Sequence, residues 1–536
     1  MRILDWVIVV GYALLVIGMG VVSSRRDTAD EYFRGAKKLP WWALGLSIIA
    51  TAFSAGTLLG APGEGFRHGF LWLQLQLGDL LGYGLVCLLF LPVFLRLDIT
   101  TAYDYLELRF DKKVRLLGAT AFLLFVLVRL GGLLYGAAIV FAKVTGFSVE
   151  TAIVLVGILS IFYTAAGGLA AVVWTDVLQF AMVLFGVGLA AILAVHGVPG
   201  GWSEVLAAAR RGGRLTLIDP VWNPSNLRSL PTAIFGYGIL AFAVAGTNQQ
   251  SVQRYVSCRD VRSSIKAALL GWGAGAAAVA ATLGLGVVLY AYSLHHPEVI
   301  PPGTKRDEIF PRFIGSVLPP GAAGILVAAV FAAAMSSIDS ALHSLATSFV
   351  VDFQRTFKGR AGNSDGARKE TGTARITILV AGVFGIGAAL FAARSGEALL
   401  PYLVKFSGYT LGPLLGLFLL AALCERTNGN GAFWGTLVAL GIVMLWEWKR
   451  VAILGVLARG APSLSQSLSV SSGKIPGFWY PAITAPLALV FGYLLSLPFP
   501  APDRERIRRY LRFDRSSADS RKKGSATETK RSQRMK

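Results

Sequence analysis

Charge is scarce in this sequence: of 536 residues, 15% are Asp, Glu, Lys or Arg, whereas 54% are hydrophobic. Cysteine is nearly absent. Cys87, Cys258 and Cys424 lie in or beside apolar runs, show no metal-ligand spacing and suggest no disulfide framework, so they read as small apolar residues. The five histidines (His68, His196, His295, His296 and His343) have no ligand spacing either. With neither a nucleophile constellation nor a metal constellation, the sequence gives no ground for an enzyme or an organic cofactor. Acidic residues are outnumbered, leaving a formal charge of +21. The excess lies in short loops and a tail rather than on a soluble domain, which excludes nucleic acid as the partner and makes the charge a matter of membrane topology.

What the chain has instead is uncharged apolar runs of about 20 residues, the length that spans a bilayer core. About thirteen spans are expected, near residues 5–22, 41–62, 71–95, 115–142, 151–167, 171–195, 232–252, 264–293, 320–350, 374–393, 399–423, 431–455 and 479–498. The first is kept as a span, because Asp5, a lone Arg2 and the lack of a small-residue cleavage site make a poor signal peptide. With the N-terminus outside and the C-terminus cytoplasmic, the inner segments hold roughly two-thirds of the Lys and Arg, as the positive-inside rule asks. The outer loop carrying Arg210, Arg211 and Arg214 is an exception. The expected setting is a cell (inner) membrane, crossed many times.

Two of these spans carry helix-loosening residues. The second holds Ser54, Gly56, Thr57, Gly60, Pro62 and Gly63, and is expected to be interrupted between Gly56 and Gly63. Five spans later, "AIFGYGILAFAVAGTNQQ" repeats the feature with Gly236, Gly238 and Gly246. Because five is odd, the second interrupted helix enters from the opposite side. Paired broken helices in inverted five-span units point to a secondary transporter with a midplane site. The competing reading is that these glycines only permit close helix packing. The chain then divides into a first span and loop (1–40), one repeat (41–195), an outer loop (196–231), a second repeat (232–423), two further spans (424–500) and a basic tail (501–536) expected to be disordered and near anionic lipid.

Polar residues inside the spans are the candidates for function. The ninth reads "AAAMSSIDSALHS", placing Ser336, Ser337, Asp339 and Ser340 in a membrane helix. Small hard cations take several oxygen ligands, and carbonyls freed around Ala50 to Phe53 would complete a shell with Ser336 and Ser337. Asp176 and Gln179, three apart, share a face of the sixth span, unless Asp176 merely caps a wet helix end. Arg129 lies about 14 residues into its span, roughly 21 Å from the end at 1.5 Å per residue, too deep to snorkel. It needs an anion: either Asp79, three residues after Gln76, or a substrate carboxylate.

The segments "DEYFRGAKKLPWWALGLSIIATAFSA", "FYTAAGGLAAVVWTDVLQ", "NQQSVQRYVSC", "AAAMSSIDSALHS" and "GPLLGLFLL", in this order, resemble the sodium:solute symporter family over about residues 5–498. The resemblance implies an all-α membrane fold like that of the bacterial leucine transporter, with Na+ as coupling ion. It implies a main sodium site at the carbonyls of Ala50, Phe53 and Ala333 and the hydroxyls of Ser336 and Ser337. Several members add a second site, matched here by Asp176, Ser336, Asp339 and Ser340, although Asp339 stands where those members have a hydroxyl residue. At the substrate positions Ser54, Thr57, Gln76 and Arg129 the chain is most similar to bacterial sialic acid symporters, with Arg129 on the acid's carboxylate. Uptake of a small organic anion, sialic acid first, is therefore expected. A monocarboxylate or sugar symporter is the alternative, and a membrane sensor a remote one.

Overall fold

The computed structural model describes residues 2–22, 29–359, 364–395, 399–460 and 476–512. Every regular element among them is helical. The apolar runs become α1 (Ile3–Val22), α2 (Trp41–Ala52), α3 (Ala55–His68), α4 (Leu75–Leu89), α5 (Lys112–Thr145), α6 (Val149–His196), α7 (Gly238–Thr247), α8 (Gln249–Val256), α9 (Val261–His295), α10 (Ala322–Ser348), α11 (Ser364–Ser395), α12 (Leu399–Leu423), α13 (Gly429–Gly460) and α14 (Tyr480–Leu494), followed by a short α15 (Arg504–Arg508). Among the described residues eleven helices are long and apolar enough to cross a membrane, and the bent pair α2–α3 makes a twelfth. The span expected at 151–167 is the first limb of α6, a shorter apolar helix (Val149–Ala165). It joins the second limb at Gly168, whose φ of 63° an L side chain rarely adopts. The chain is a multi-pass membrane protein.

Burial grades from the rim to the centre. In α1, 22% of the apolar window is buried, whereas in α10 the share is 94%. The α10 sequence explains its place: "VAAVFAAAMSSIDSALHS" is mostly Ala and Ser, and small residues let neighbouring backbones approach where no hydrophobic force acts between helices. Toward lipid the chain presents Phe162, Phe185, Val380, Phe384 and Phe391, all exposed, as hydrocarbon solvent allows.

The first interruption lies upstream of the glycines expected to cause it. Helix α2 ends at Ala52, Phe53 takes φ −85° and ψ 89°, and α3 restarts from Ser54 with a 71° bend. Gly56, Gly60 and Gly63 lie within α3, and at Gly63 a Cβ would come within 2.1 Å of the Arg306 carbonyl. Close approach, not helix breaking, is what that glycine provides. The second interruption is shifted too. Residues 233–237 form a π-helical turn, α7 runs unbroken through Gly246, and the break falls at Asn248 (φ −78°, ψ 122°), whose side chain accepts from the Gln250 N–H at 3.0 Å. Gly238 lies against Gly78 of α4 and Gly246 against Phe90, so here the packing reading holds.

The basic tail departs from the expected disorder at its start. Ile507, Tyr510 and Leu511, spaced three and four apart, are buried, and Arg96 donates to the carbonyls of Arg509 and Leu511 at 2.5 and 2.9 Å. Apolar residues at helical spacing inside a basic stretch supply the anchor that charge content alone hides.

Candidate cation and substrate site

A helix that stops in the membrane leaves its last carbonyls without intrahelical donors. At the end of α2 those groups are met by α10: the Ser336 hydroxyl donates to the Ala50 carbonyl at 2.8 Å, and Ser337 donates to the Thr51 carbonyl at 3.0 Å. Ser336 also lies 3.2 Å from the Ala333 carbonyl, an alternative acceptor for its single proton. Both serines are buried, and Phe53 sits at the break itself. The result is a cluster of neutral oxygens with no fixed charge among them, the donor set that suits a small hard cation.

One turn further along α10 the chemistry becomes ionic. Asp176 is fully buried; its Oδ2 accepts from the Ser47 hydroxyl at 2.5 Å and pairs with Arg254 at 3.1 Å. Arg254 belongs to α8, beyond the Asn248 break, and is the largest fully buried side chain among the described residues. Its other donors reach the Ser47 hydroxyl (2.6 Å), the Gln250 carbonyl (2.6 Å) and the Ser340 hydroxyl (2.5 Å). Ser340 in turn is 2.8 Å from the Thr51 hydroxyl. Asp339 is also fully buried but faces elsewhere, accepting from the Tyr163 hydroxyl and from Thr164 at 3.1 Å. The reading of Asp176 as a wet helix cap therefore does not hold. Gln179, its neighbour three residues on, is also buried.

Beside the break lies a half-open cavity of about 150 Å³. Ile49, Ala52 and Phe53 of α2 form one wall, and Thr57, Gln76 and Asp79 reach it from α3 and α4. Tyr83, Tyr237 and Trp272 also line it, and the Trp272 indole N–H donates to the Gln76 carbonyl at 2.8 Å. Of the four substrate positions expected from sequence, Thr57 and Gln76 line this cavity, whereas Ser54 and Arg129 do not. The Arg129 guanidinium lies 5.8 Å from the Phe125 ring centroid, and among the described residues it forms no ion pair with Asp79. Outside this cavity, Glu64 of α3 is buried against Arg228 and, at 3.4 Å, Arg306, which ties the second half of the broken span to two connecting segments.

A family model described as the sodium:solute symporter family matches residues 32–439. The chain belongs to that family. It is 30% identical over 446 residues to the sodium/sialic acid symporter SiaT of Proteus mirabilis, with 82% of this chain and 89% of that one covered. To the human sodium-coupled monocarboxylate transporter 1 it is 31% identical over 453 residues, covering 82% of this chain and 72% of the other. Among solved structures, a Na+-coupled sialic acid symporter in a substrate-bound outward-open state superposes with a TM-score of 0.80 at 27% identity, over 94% of this chain and 99% of that one. Mhp1, a nucleobase-cation-symport-1 family transporter, gives 0.55 at 16% identity over 91% and 98%, a likeness of fold alone. The fold of this symporter is thus the leucine-transporter type, with inverted five-helix repeats.

The residue that sequence reasoning missed in the symporter is Arg254. In "NQQSVQRYVSC" it looks like one more basic residue of an inner loop. A signal was present: Gln249, Gln250, Gln253 and Arg254 crowd an eight-residue helix, and Asp176, placed deep in a span, requires a cationic partner.

Proposed function

We propose that this symporter couples inward movement of Na+ to uptake of a small organic anion, with sialic acid as the substrate. One observation carries the coupling: the carbonyls of Ala50 and Thr51 that take the Ser336 and Ser337 hydroxyls alternate along α2 with Ile49, Ala52 and Phe53, which wall the cavity. Sodium is held by the carbonyls of Ala50, Phe53 and Ala333 and the hydroxyls of Ser336 and Ser337. Asp176, Asp339 and Ser340 form the cluster for a second cation, with the Arg254 guanidinium already compensating Asp176. Ser54, Thr57, Gln76 and Arg129 contact the substrate, Arg129 through its carboxylate. The N-terminus is outside and the C-terminus cytoplasmic, in a cell (inner) membrane. The sialic acid symporters among the relatives support the choice of substrate.

The test is uptake of labelled sialic acid by proteoliposomes under an inward sodium gradient, beside an identical potassium gradient. Accumulation that needs sodium is expected. Equal uptake with either ion refutes the coupling, and sodium-driven uptake of lactate or glucose without sialic acid reassigns the substrate.

A further inference from the structure

The cavity that is to receive an acid contains an acid. Asp79 sits near the middle of the span Leu71–Leu89 and lines the cavity, and no Lys, Arg or His is among the lining residues. Its hydrogen bond from the Tyr237 hydroxyl is 3.5 Å long, at the limit of such a bond, the Gln76 side chain is its other hydrogen-bonding neighbour, and among the described residues it has no ion pair. An ionised carboxylate offers about four acceptor positions. At membrane depth such a group is costly and is retained for function. Tyr83, Tyr237 and Trp272 line the same cavity, bringing aromatic rings beside it.

These features point away from a ligand that is only an anion. A halide or a carboxylate on a bare alkyl chain would satisfy none of the acceptor positions of Asp79. We infer that Asp79 is a specificity-determining residue: it accepts O–H or N–H donors from the substrate, so the symporter takes acids bearing such donors away from their carboxylate and rejects donor-free monocarboxylates and halides. The inference rests on the proposed function, which supplies the carboxylate. Sialic acid meets the condition through its hydroxyls and amide, and an amino acid meets it through its ammonium group.

The experiment is ligand binding to the purified full-length protein in sodium, by calorimetry, with sialic acid, proline, propionate and iodide. The parent should bind sialic acid or proline, the better of the two telling hydroxyl from ammonium recognition, at least tenfold more tightly than propionate or iodide. Asp79→Ala should weaken the preferred ligand about ten- to a hundredfold, the range for a hydrogen bond to a charged group, and should shrink its advantage over propionate. Asp79→Asn, which keeps one acceptor and the side-chain shape, should lose less. A merely structural Asp79 would lower stability and leave the selectivity ratio alone. Propionate or iodide bound as tightly as sialic acid and proline, or an unchanged ratio in Asp79→Ala, overturns the inference and leaves the proposed function standing. Failure of every carboxylate to bind overturns both.

Discussion

The Arg254–Asp176 pair offers the most direct check on how the centre of the symporter is held together. Both side chains are fully buried and 3.1 Å apart. At an effective dielectric constant of ~20, unit charges at that separation attract by about 5 kcal/mol. Removing one partner of a buried pair typically costs about 3–5 kcal/mol, because the other charge is left uncompensated. Arg254→Met deletes the guanidinium while keeping the apolar stem, and it also frees the Ser47 and Ser340 hydroxyls and the Gln250 carbonyl. We expect this variant to lose most of its folded yield and to melt well below the parent in detergent. Adding Asp176→Asn removes the orphaned charge and should restore much of the loss, so the two changes together should cost less than their sum. A chain of this size does not unfold in two states, so the assay is the rank order of the four proteins by fluorescence-detected melting in sodium and in potassium. Sodium carries a further signature: with Arg254 gone, Asp176, Ser47 and Ser340 expose oxygens to a mobile cation, so sodium should raise the melting temperature of Arg254→Met more than that of the parent. Single variants as stable as the parent, or a double variant showing the full sum of the two losses, would refute the argument.

Three other outcomes are expected. Replacing Ser336 and Ser337 together with Ala removes two hydroxyl ligands and should raise the sodium concentration needed for half-maximal uptake by tenfold or more, at about 1.4 kcal/mol per decade; an unchanged sodium titration sinks that site. Arg129→Ala should weaken sialic acid binding about ten- to a hundredfold without lowering stability, since no ion pair with Asp79 is lost. Reduced expression with intact affinity would make Arg129 structural. Asp98, at the bundle surface, takes Arg34 at 2.5 Å and Lys37 at 2.6 Å. Burial pushes its carboxyl up, but those hydrogen bonds and charges outweigh burial and hold it below the usual 3.8. Its contribution is then present above the unfolded value of about 3.9 and lost as pH falls through the folded one. The melting difference between parent and Asp98→Asn should accordingly be seen at neutral pH and vanish as the carboxylate is protonated in acid; a difference independent of pH counts against the contact.

Much of the fold was legible because membrane spans announce themselves by length and lack of charge. The spans from α1 to α14 follow the expected order, and the Ser336–Ser337 pair lies against the carbonyls at the end of α2. What sequence misplaced were the breaks. Glycine and proline report local tolerance, whereas the stop after Ala52 is stabilised by hydroxyls from a helix almost 300 residues away, and the stop at Asn248 by a side-chain cap that resembles any other polar residue. Arg254 was hidden for a related reason. A basic residue near a span end is read as topology, and only its distant partners Asp176, Ser47 and Ser340 show it to be interior. Asp79 was named only as one of two possible anions for Arg129, and among the described residues the two form no ion pair, since spacing along two helices does not say whether their side chains meet.

The break after Ala52 matters because a continuous helix would have no carbonyls free at membrane depth. A helix places residues one and two apart on different faces and residues three and four apart on the same one. Ile49 and Ala52, three apart, share the cavity side of α2, Phe53 lines the cavity from the break itself, and the carbonyls of Ala50 and Thr51 meet Ser336 and Ser337. A ligand that fixes either set constrains five consecutive residues, and so lowers the entropic cost of fixing the other. Linkage makes the effect mutual: whatever factor sodium contributes to substrate affinity, substrate contributes to sodium affinity. The Arg254 network is anchored one turn away through Ser47 and Ser340, close enough to hold the end of α2 in place. It does so without occupying the neutral oxygens, because its guanidinium reaches Asp176 and the Ser47 and Ser340 hydroxyls rather than the carbonyls of Ala50 and Thr51. On the proposed main sodium site, the fixed positive charge beside Asp176 holds the end of α2 while the neutral oxygens one turn away take and release the ion.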